Sequence, residues 1–339
     1  MKNFYVDSLR DGAVVDDVFI VTSKILGRTQ DGSPFVRFKL SDCTGTVEAI
    51  KWDTSESAFA SLAVDDFVYV RGAVGTYRER TQLVLESFRR YDQKVDPRDF
   101  LPKSPCDPDE MLASLKNIIA SVKDPYLAQI LEFFFSDEDF LVKFTTAPTA
   151  QKIHHAYIGG LLEHTLGVAQ GGDAIAPLYK DLNRDLLITG AILHDIGKIE
   201  EFSWNKSIRY SDSGHLIGHI VLGCSMVEKA ADKVKDMHPL TRLELMHMIL
   251  SHHGEKEWGS PKRPKSLQAI VLHYLDDLDA KMSMCLQALS ENGRGDSDIW
   301  TEKHWVLERP LFRSQPGTLA EESEDGFNGK GGNSQELPF

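Results

Sequence analysis

Apolar and polar residues alternate along the first 92 residues with the period of two that is typical of β-strands. The alternating segments are VVDDVFIVTSKIL, PFVRFKLSD, TGTVEAIKW, DDFVYVRGAVGTY and TQLVLESFRRY. The turn formers QDGS and DCTG separate the first three of these segments. Strands that are this short and this closely spaced predict a small antiparallel barrel.

The spacing of apolar residues changes to threes and fours from Glu110 to about residue 290, which is typical of amphipathic helices. This spacing occurs in DPDEMLASLKNIIASV, PYLAQILEFFFSD, RDLLITGAILHDIG, GHIVLGCSMVEKAADKV, LTRLELMHMILSHHG and SLQAIVLHYLDDLDAKMSMCLQAL. No segment in this region predicts a strand. Between the two patterns, residues 93–109 contain four prolines and little periodicity, so they predict a linker.

The two patterns predict a multidomain protein in which an all-β barrel precedes an all-α domain. At 339 residues the chain is longer than a single core usually supports. The barrel is predicted over residues 1–92, and an OB-fold is the leading candidate because it uses five strands at about this length. The predicted role of this domain is to bind nucleic acid. The helical domain is predicted over residues 110–312. Residues 313–339 are rich in Gly, Ser and acidic residues and predict a disordered tail.

Composition narrows the class of protein further. The chain has a net charge of −13, and 42% of its residues are hydrophobic, as in soluble globular proteins. No apolar run approaches the roughly 18 to 20 residues that span a bilayer, and the N-terminus lacks the apolar core of a signal peptide, so a cytoplasmic location is predicted. The negative charge argues against binding nucleic acid through bulk charge alone.

Histidine and aspartate residues are concentrated in the helical region. Nine of the twelve histidines lie between residues 164 and 273. Candidate metal ligands stand at or near the ends of apolar helical segments, and they are His164, His194, Asp195, His219, His252, His253 and Asp276. A single residue of this kind is more commonly a hydrogen-bonded core residue. Burial of the whole set without a cation would leave costly unpaired polar groups, so the set predicts a metal site.

The ligand types restrict the metal. Imidazole and carboxylate ligands without thiolate favour Mn²⁺, Fe²⁺, Co²⁺, Ni²⁺ or Zn²⁺ over Ca²⁺, with one or two ions per chain. Two such ions can neutralise the oxygens of a phosphodiester and activate a water molecule. Two ions are possible if Asp195, in the segment LHDIGK, bridges them, and Asp195 is predicted to be catalytic. Hydrolysis by a metal-activated hydroxide is the predicted mechanism.

The order of His164, His194–Asp195 and Asp276 resembles the HD superfamily of metal-dependent phosphohydrolases. The resemblance implies that these residues hold one metal. Asp277 and Asp279 are alternatives for the last ligand, and Asp276 is the one that matches the superfamily pattern.

The resemblance also implies a second metal. His219, together with His252 or His253, matches the positions that bind a further ion in dinuclear members of the superfamily. The sequence does not decide between the last two histidines.

A closer resemblance covers residues 1 to about 290. The predicted barrel, DFLP, HHAYIGGLLEHT, LLITGAILHDIGKI, LIGHI, ILSHHGE and LHYLDDLDAKM together resemble the YhaM-type 3′→5′ exoribonuclease family. The resemblance implies a bacterial enzyme that removes nucleotides from the 3′ end of single-stranded RNA, with single-stranded DNA as an alternative substrate and Mn²⁺ as the common cofactor. The alternatives are an HD-domain phosphohydrolase acting on a small nucleotide or cyclic dinucleotide, and a binding module with a degenerate site.

Three further residues in the helical region are candidates for roles at the site. Lys198, one turn beyond His194, is predicted to be catalytic through contact with a substrate phosphate; the alternative is a solvated lysine favoured by a helix end. His154 and His155 are predicted to support a metal ligand or to contact phosphate, with a surface position as the alternative.

Aromatic and cationic residues are interleaved along the predicted barrel, as a surface that stacks single-stranded bases requires. The candidates for nucleic-acid binding are Phe35, Arg37, Lys51, Trp52, Tyr77, Arg78 and Arg80. Side chains alternate across a strand, so Phe38 is expected on the opposite face from Phe35 and Arg37.

The last six residues, SQELPF, resemble the tips of bacterial single-strand-binding proteins, which dock partner proteins. An inert solubilising tail is the alternative. The oligomeric state stays open.

Overall fold

The computed structural model of the protein describes residues 2–77, 80–151, 155–291 and 299–313. Within these residues, strands between Val14 and Arg90 close into a barrel. The strands are β1 (Val14–Arg28), β2 (Pro34–Asp42), β3 (Gly45–Trp52), β4 (Phe67–Tyr77) and β5 (Arg80–Arg90), with helix α1 (Glu56–Ala60) between β3 and β4. Their order around the barrel is β1-β2-β3-β5-β4, and β3 and β5 are parallel whereas the other pairs are antiparallel. The predicted barrel is therefore confirmed.

Alternation along each strand builds the interior of the barrel. Val36, Phe38 and Leu40 of β2 are all buried and point inward, whereas Arg37 between them is exposed. The ring of Phe38 packs edge-on against Phe88, with ring centroids 5.0 Å apart. Phe38 is thus a core residue, on the face opposite to Arg37.

The rest of the first compact unit, which ends at Ser283, is mainly helical. The helices are α2 (Pro108–Ala120), α3 (Pro125–Phe135), α4 (Glu138–Thr146), α5 (Gly160–Ile175), α6 (Arg184–Leu193), α7 (Lys198–Glu201), α8 (Asp212–Leu216), α9 (His219–Ala231), α10 (Pro239–Ser251) and α11 (Leu267–Glu291), of which α11 continues beyond it. The prediction that this region contains no strand is wrong at one hairpin, formed by β6 (Phe202–Ser203) and β7 (Arg209–Tyr210). Strands of two residues are too short to leave an alternating pattern in the sequence.

Several helices begin at an aspartate, as the sequence pattern indicates. The carboxylates of Asp107, Asp124 and Asp137 each accept hydrogen bonds from backbone N–H groups in the first turn of α2, α3 and α4. Helix α6 differs because its residues from Leu186 to Leu193 are all buried. This helix lies in the core of the domain, and it ends at Leu193, the first residue of LHDIGK.

The predicted linker packs between the barrel and the helices. Phe100 and Leu101 are only 4% and 7% exposed, and they form one apolar cluster with Val18, Ile20, Phe67 and Ile158, which we call the junction cluster. The rings of Phe67 and Phe100 meet edge-on with centroids 4.9 Å apart. The barrel is therefore held against the helical domain by apolar contact through the linker.

The barrel, the linker and the chain up to Ser283 form one compact unit, and the chain from Met284 onward forms a second. Among the described residues, no helix is long and apolar enough to cross a membrane. The predicted tail lies outside the described residues from position 314 onward.

We predict that Leu101→Ala destabilises the protein by about 2 to 5 kcal/mol, the usual cost of removing a buried leucine side chain. Thermal or denaturant unfolding measures the change. Leu240→Ala is the matched control, because Leu240 is 66% exposed and should change stability little. Equal losses in both variants would contradict the structural role of the junction cluster.

Candidate functional site

Three of the predicted ligands meet in a first cluster. His164 of α5, His194 at the end of α6 and Asp276 of α11 place their ligand atoms within 4.8 Å of one another. The Nε2 atoms of the two histidines are 3.1 Å apart, and Oδ1 of Asp276 lies 3.3 Å from Nε2 of His164. Both imidazoles are fully buried.

A second cluster lies at the ends of two other helices. His219 begins α9, and His252 and His253 follow the last residue of α10. Their ligand atoms also lie within 4.8 Å of one another, and the Nε2 atoms of His219 and His253 are 3.3 Å apart. The structure therefore brings both adjacent histidines into the same cluster, where the sequence left a choice between them.

The carboxylate of Asp195 lies between the clusters. Its Oδ2 is 3.5 Å from Nε2 of both His164 and His194. Its Oδ1 is 3.5 Å from Nε2 of both His219 and His252. One buried carboxylate thus presents one oxygen to each cluster, which is the arrangement of a ligand that bridges two ions.

Hydrogen bonds on the outer side of the rings fix several imidazoles. Nδ1 of His194 lies 2.8 Å from the carbonyl oxygen of Ala191, and Nδ1 of His252 lies 2.8 Å from that of Ile249. Nδ1 of His253 lies 2.9 Å from the carbonyl oxygen of Trp258. A carbonyl oxygen only accepts, so Nδ1 carries the proton and donates. In the neutral ring, Nε2 then directs its lone pair toward the cluster.

The two remaining imidazoles are held by carboxylates instead. Nδ1 of His219 donates to Oε1 of Glu201 at 2.9 Å, and Nδ1 of His164 donates to Oδ2 of Asp279 at 2.7 Å. A carboxylate behind an imidazole makes the ring a stronger metal ligand. Each cluster therefore contains one histidine with this support.

The donor set fits divalent metal ions. Among the described residues, Oδ1 of Asp195 and Nε2 of His252 are buried and have no hydrogen-bond partner. Burial of unpaired polar atoms costs roughly 1 to 3 kcal/mol each, and ligation by a cation removes that cost. The clusters offer imidazole and carboxylate groups without thiolate, which suits transition-metal ions such as Mn²⁺ and Zn²⁺.

Burial keeps most of the imidazoles neutral. It lowers the pKa values of His194 and His252. The pKa of His253 falls to about 3, because of burial first and then of the neighbouring His252 and His219. Neutral imidazole is the form that binds a metal ion.

Charge dominates at the carboxylate between the clusters. Burial alone would raise the pKa of Asp195, but Lys198 and the histidines hold it well below its usual value. At His164 burial lowers the pKa, but Asp276 and Asp279 outweigh it and raise the pKa to about 9. Asp195 is therefore ionised. The proton gained by His164 lies on Nε2, the nitrogen that would bind a metal ion.

The predicted supporting residues lie close to this centre. Lys198 is 6% exposed, so it is not the solvated lysine of the alternative, and its Nζ lies 2.6 Å from Oδ2 of Asp195. His155 is also buried rather than on the surface; its Nε2 lies 3.1 Å from Oδ2 of Asp279, the carboxylate that holds His164. His154 lies outside the described residues.

The three aspartates of α11 have different surroundings. Asp276 faces the first cluster, Asp277 forms an ion pair with Lys281 at 2.6 Å, and Asp279 lies behind His164. Sequence reasoning missed Glu201 altogether. In the segment IGKIEEF nothing distinguishes Glu201 from Glu200, because only the fold brings it to His219.

Some of the predicted nucleic-acid-binding residues share a surface of the barrel. Phe35 and Trp52 are cross-strand partners on β2 and β3, with ring centroids 5.2 Å apart. The guanidinium of Arg37 lies 6.0 Å from the centroid of Phe35. We call these three residues the barrel face. Lys51 lies on the other side of β3, where its Nζ donates to the carbonyl oxygen of Trp52 at 2.6 Å.

Tyr77 and Arg80 lie elsewhere on the barrel. They pair with one another where β4 and β5 meet. The register of β3 with β5, in which Glu48 pairs with Gln82, puts Arg80 level with the start of β3, about six residues or roughly 20 Å from Trp52. The predicted set thus divides between two places, and Arg78 lies outside the described residues.

Family models match both parts of the chain. Residues 19–90 match the OB-fold nucleic acid binding domain, and residues 161–281 match the HD domain. The protein therefore belongs to the class in which an OB-fold domain is followed by an HD domain. The HD domain and its histidine-rich clusters make the protein dependent on a divalent metal.

Curated relatives identify the family. The chain is 38% identical over 304 residues to the 3'-5' exoribonuclease YhaM of Bacillus subtilis (strain 168), covering 89% of this chain and 95% of the relative. It is 36% identical over 310 residues to the protein of the same name from Geobacillus sp. (strain WCH70), covering 89% and 94%. The chain belongs to the YhaM 3'-5' exoribonuclease family.

Solved structures match a part of the chain. A domain of replication protein A from Methanococcus maripaludis is 15% identical and covers 27% of this chain and 97% of its own. The TM-score of this match is 0.24.

We predict that Asp276→Asn weakens binding of one metal ion at least about 10-fold, since even the partners behind metal ligands contribute 10- to 100-fold. Calorimetric titration of the metal-free protein with Mn²⁺ measures the change. Asp277→Asn is the matched control, because Asp277 is paired with Lys281 and should keep normal binding. Unchanged metal affinity in Asp276→Asn would exclude Asp276 as a ligand.

Proposed function

We propose that this protein is a metal-dependent 3′→5′ exoribonuclease that hydrolyses the terminal phosphodiester of single-stranded RNA, with single-stranded DNA as an alternative substrate. The observation that carries the proposal is the buried carboxylate of Asp195, which presents one oxygen to each of two histidine clusters. Membership of the YhaM family gives that site its reaction class. A cytoplasmic location stays a prediction from the sequence.

Two ions are proposed to bind at the clusters, with Mn²⁺ as the proposed metal. The first would be held by His164, His194, Asp195 and Asp276. The second would be held by Asp195, His219, His252 and His253. When bound, such ions supply Lewis acidity, which neutralises phosphate oxygens and lowers the pKa of a water molecule.

Residues of the protein itself are proposed to bind the substrate phosphate and to balance the charges around it. Asp195 is ionised, and each of its two oxygens faces a different cluster. Lys198 brings its ammonium group to the same carboxylate, 2.6 Å away, and is the proposed contact for the phosphate. Helix α6 excludes water from one side of this centre because the whole of its length from Leu186 is buried.

The barrel is proposed to bind bases upstream of the cleavage point. Phe35 and Trp52 offer adjacent rings, and Arg37 adds a cation beside them. Stacking on such rings is tolerant of sequence, which suits an enzyme that degrades varied strands. Lys51, Tyr77 and Arg80 remain proposed contacts outside the barrel face.

The alternative substrate is a small nucleotide or cyclic dinucleotide, and the metal centre alone would suit either class. The barrel favours RNA, because a barrel fixed to the helical domain by the junction cluster has no evident use in hydrolysing a small molecule. A protein partner at the C-terminus is a separate proposal from the sequence.

We predict that the protein with Mn²⁺ converts 5′-labelled single-stranded RNA into a ladder of products shortened from the 3′ end. EDTA should abolish the ladder, and Asp195→Asn should reduce the rate by at least about 100-fold, because it removes the charge that faces both clusters. Denaturing gel electrophoresis resolves the products. Hydrolysis of cyclic dinucleotides without any shortening of RNA would favour the alternative instead.

We predict that Trp52→Ala weakens binding of long single strands by about 1 to 3 kcal/mol per lost stacking contact, or roughly 5- to 150-fold in Kd. Fluorescence anisotropy with labelled oligonucleotides measures the change without cleavage when metal is withheld. Tyr179→Ala is the control, since Tyr179 is an exposed aromatic residue of the helical domain. Identical affinities for wild type and Trp52→Ala would contradict the role of the barrel face.

A further inference from the structure

Glu201 is a buried carboxylate to which neither the family resemblance nor the ligand set assigns a role. It ends helix α7, lies six residues after Asp195 in the sequence and is 5% exposed. Its Oε1 accepts two hydrogen bonds from a single residue, from the backbone N–H and from Nδ1–H of His219, both at 2.9 Å. This carboxylate therefore fixes both the position and the ring orientation of a proposed metal ligand.

The surrounding chain is built to hold Glu201 in place. The β6–β7 hairpin leads to Ser211, whose backbone N–H donates to the carbonyl oxygen of Glu201 at 2.8 Å. Gly214 lies so close that a Cβ atom there would stand 2.2 Å from the same oxygen. Gly218, at φ +80°, precedes α9 and offers no side-chain cap. The carboxylate of Glu201 therefore accepts a hydrogen bond from the first N–H of that helix, that of His219.

The histidines of the second cluster differ in how they are supported. His252 and His253 donate Nδ1–H to backbone carbonyl oxygens, whereas His219 donates to the carboxylate of Glu201. A carboxylate raises the basicity of the ring more than a carbonyl oxygen does. It also tethers a histidine whose neighbours along the chain, Ile217 and Gly218, are not buried.

We propose that Glu201 is the positioning residue of the second metal site, and that it acts through His219 without binding the ion. Loss of Glu201 weakens the second ion and leaves the first in place, because the first cluster has its own support from Asp279 behind His164. The inference rests on the two-metal site proposed above.

The test is calorimetric titration of the metal-free, full-length protein with Mn²⁺, in the absence of RNA. Wild type should bind two ions per chain. Glu201→Ala should weaken one ion by about 10- to 100-fold and leave the other unchanged. Glu201→Gln keeps an oxygen that accepts from His219, so it should lie between the two. Glu200→Ala is the matched control, because Glu200 is an exposed neighbour that pairs with Lys143.

Electron paramagnetic resonance adds a readout that a general loss of stability would not produce. Wild type with two equivalents of Mn²⁺ should show the signal of a coupled pair, and Glu201→Ala at the same loading should show isolated Mn²⁺ instead. In the Asp276→Asn background, where the first ion is weakened, adding Glu201→Ala should weaken the remaining ion as well. Thermal unfolding of each metal-free variant shows which ones are folded, and Glu201→Gln decides if the alanine variant is not.

Equal weakening of both ions, or no weakening of either, would overturn the role of Glu201. A wild type that binds a single ion would overturn it as well. Metal binding is measured without substrate, so a failure of the exoribonuclease proposal would leave these results unaffected. Conversely, if the protein is an active exonuclease and its Glu201→Ala variant binds both ions normally, only the role of Glu201 is wrong.

Discussion

The helical domain depends on how a buried anion, Asp195, is compensated. Its carboxylate is 1% exposed, and burial of a lone charge of this kind is too costly for a folded protein to tolerate. Lys198 balances one oxygen, while the other has no hydrogen-bond partner among the described residues. Burial keeps the imidazoles of His194, His252 and His253 neutral, so a cation bound at the unpaired oxygen would supply further compensation. Binding of the proposed ions would therefore stabilise the fold as well.

Helices α6 and α10 both end next to the buried carboxylate of Asp195. His194 and His252 each follow the last residue of a helix, and each donates Nδ1–H to the carbonyl oxygen three residues earlier. Such carbonyl groups are left free at every helix end, so the same local geometry arises twice from the same backbone chemistry. The buried helix α6 then fixes where the first of these rings can lie. The imidazoles of His194 and His252 are thus positioned by main-chain structure before any metal binds.

The sequence predicted the clustering of the proposed ligands better than it predicted the groups that hold them. The barrel, the helices and the clustering of histidines follow from apolar spacing and from residues at helix ends, which are local properties. Glu201 was missed because its link to His219 depends on a hairpin of two-residue strands that leaves no periodic signal. The separation of Tyr77 from Trp52 was missed for a related reason, since strand register is not visible in a list of aromatic residues.

Contact between the barrel and the helical domain gives the predicted nucleic-acid surface its relation to the metal centre. Phe67 of the barrel and Phe100 of the linker pack in the junction cluster, so the linker is a structural part of the protein and not a free tether. A free tether would let the barrel raise the local concentration of a strand without orienting it. A packed junction fixes orientation as well, so a strand bound by the barrel would approach the metal centre from a defined direction.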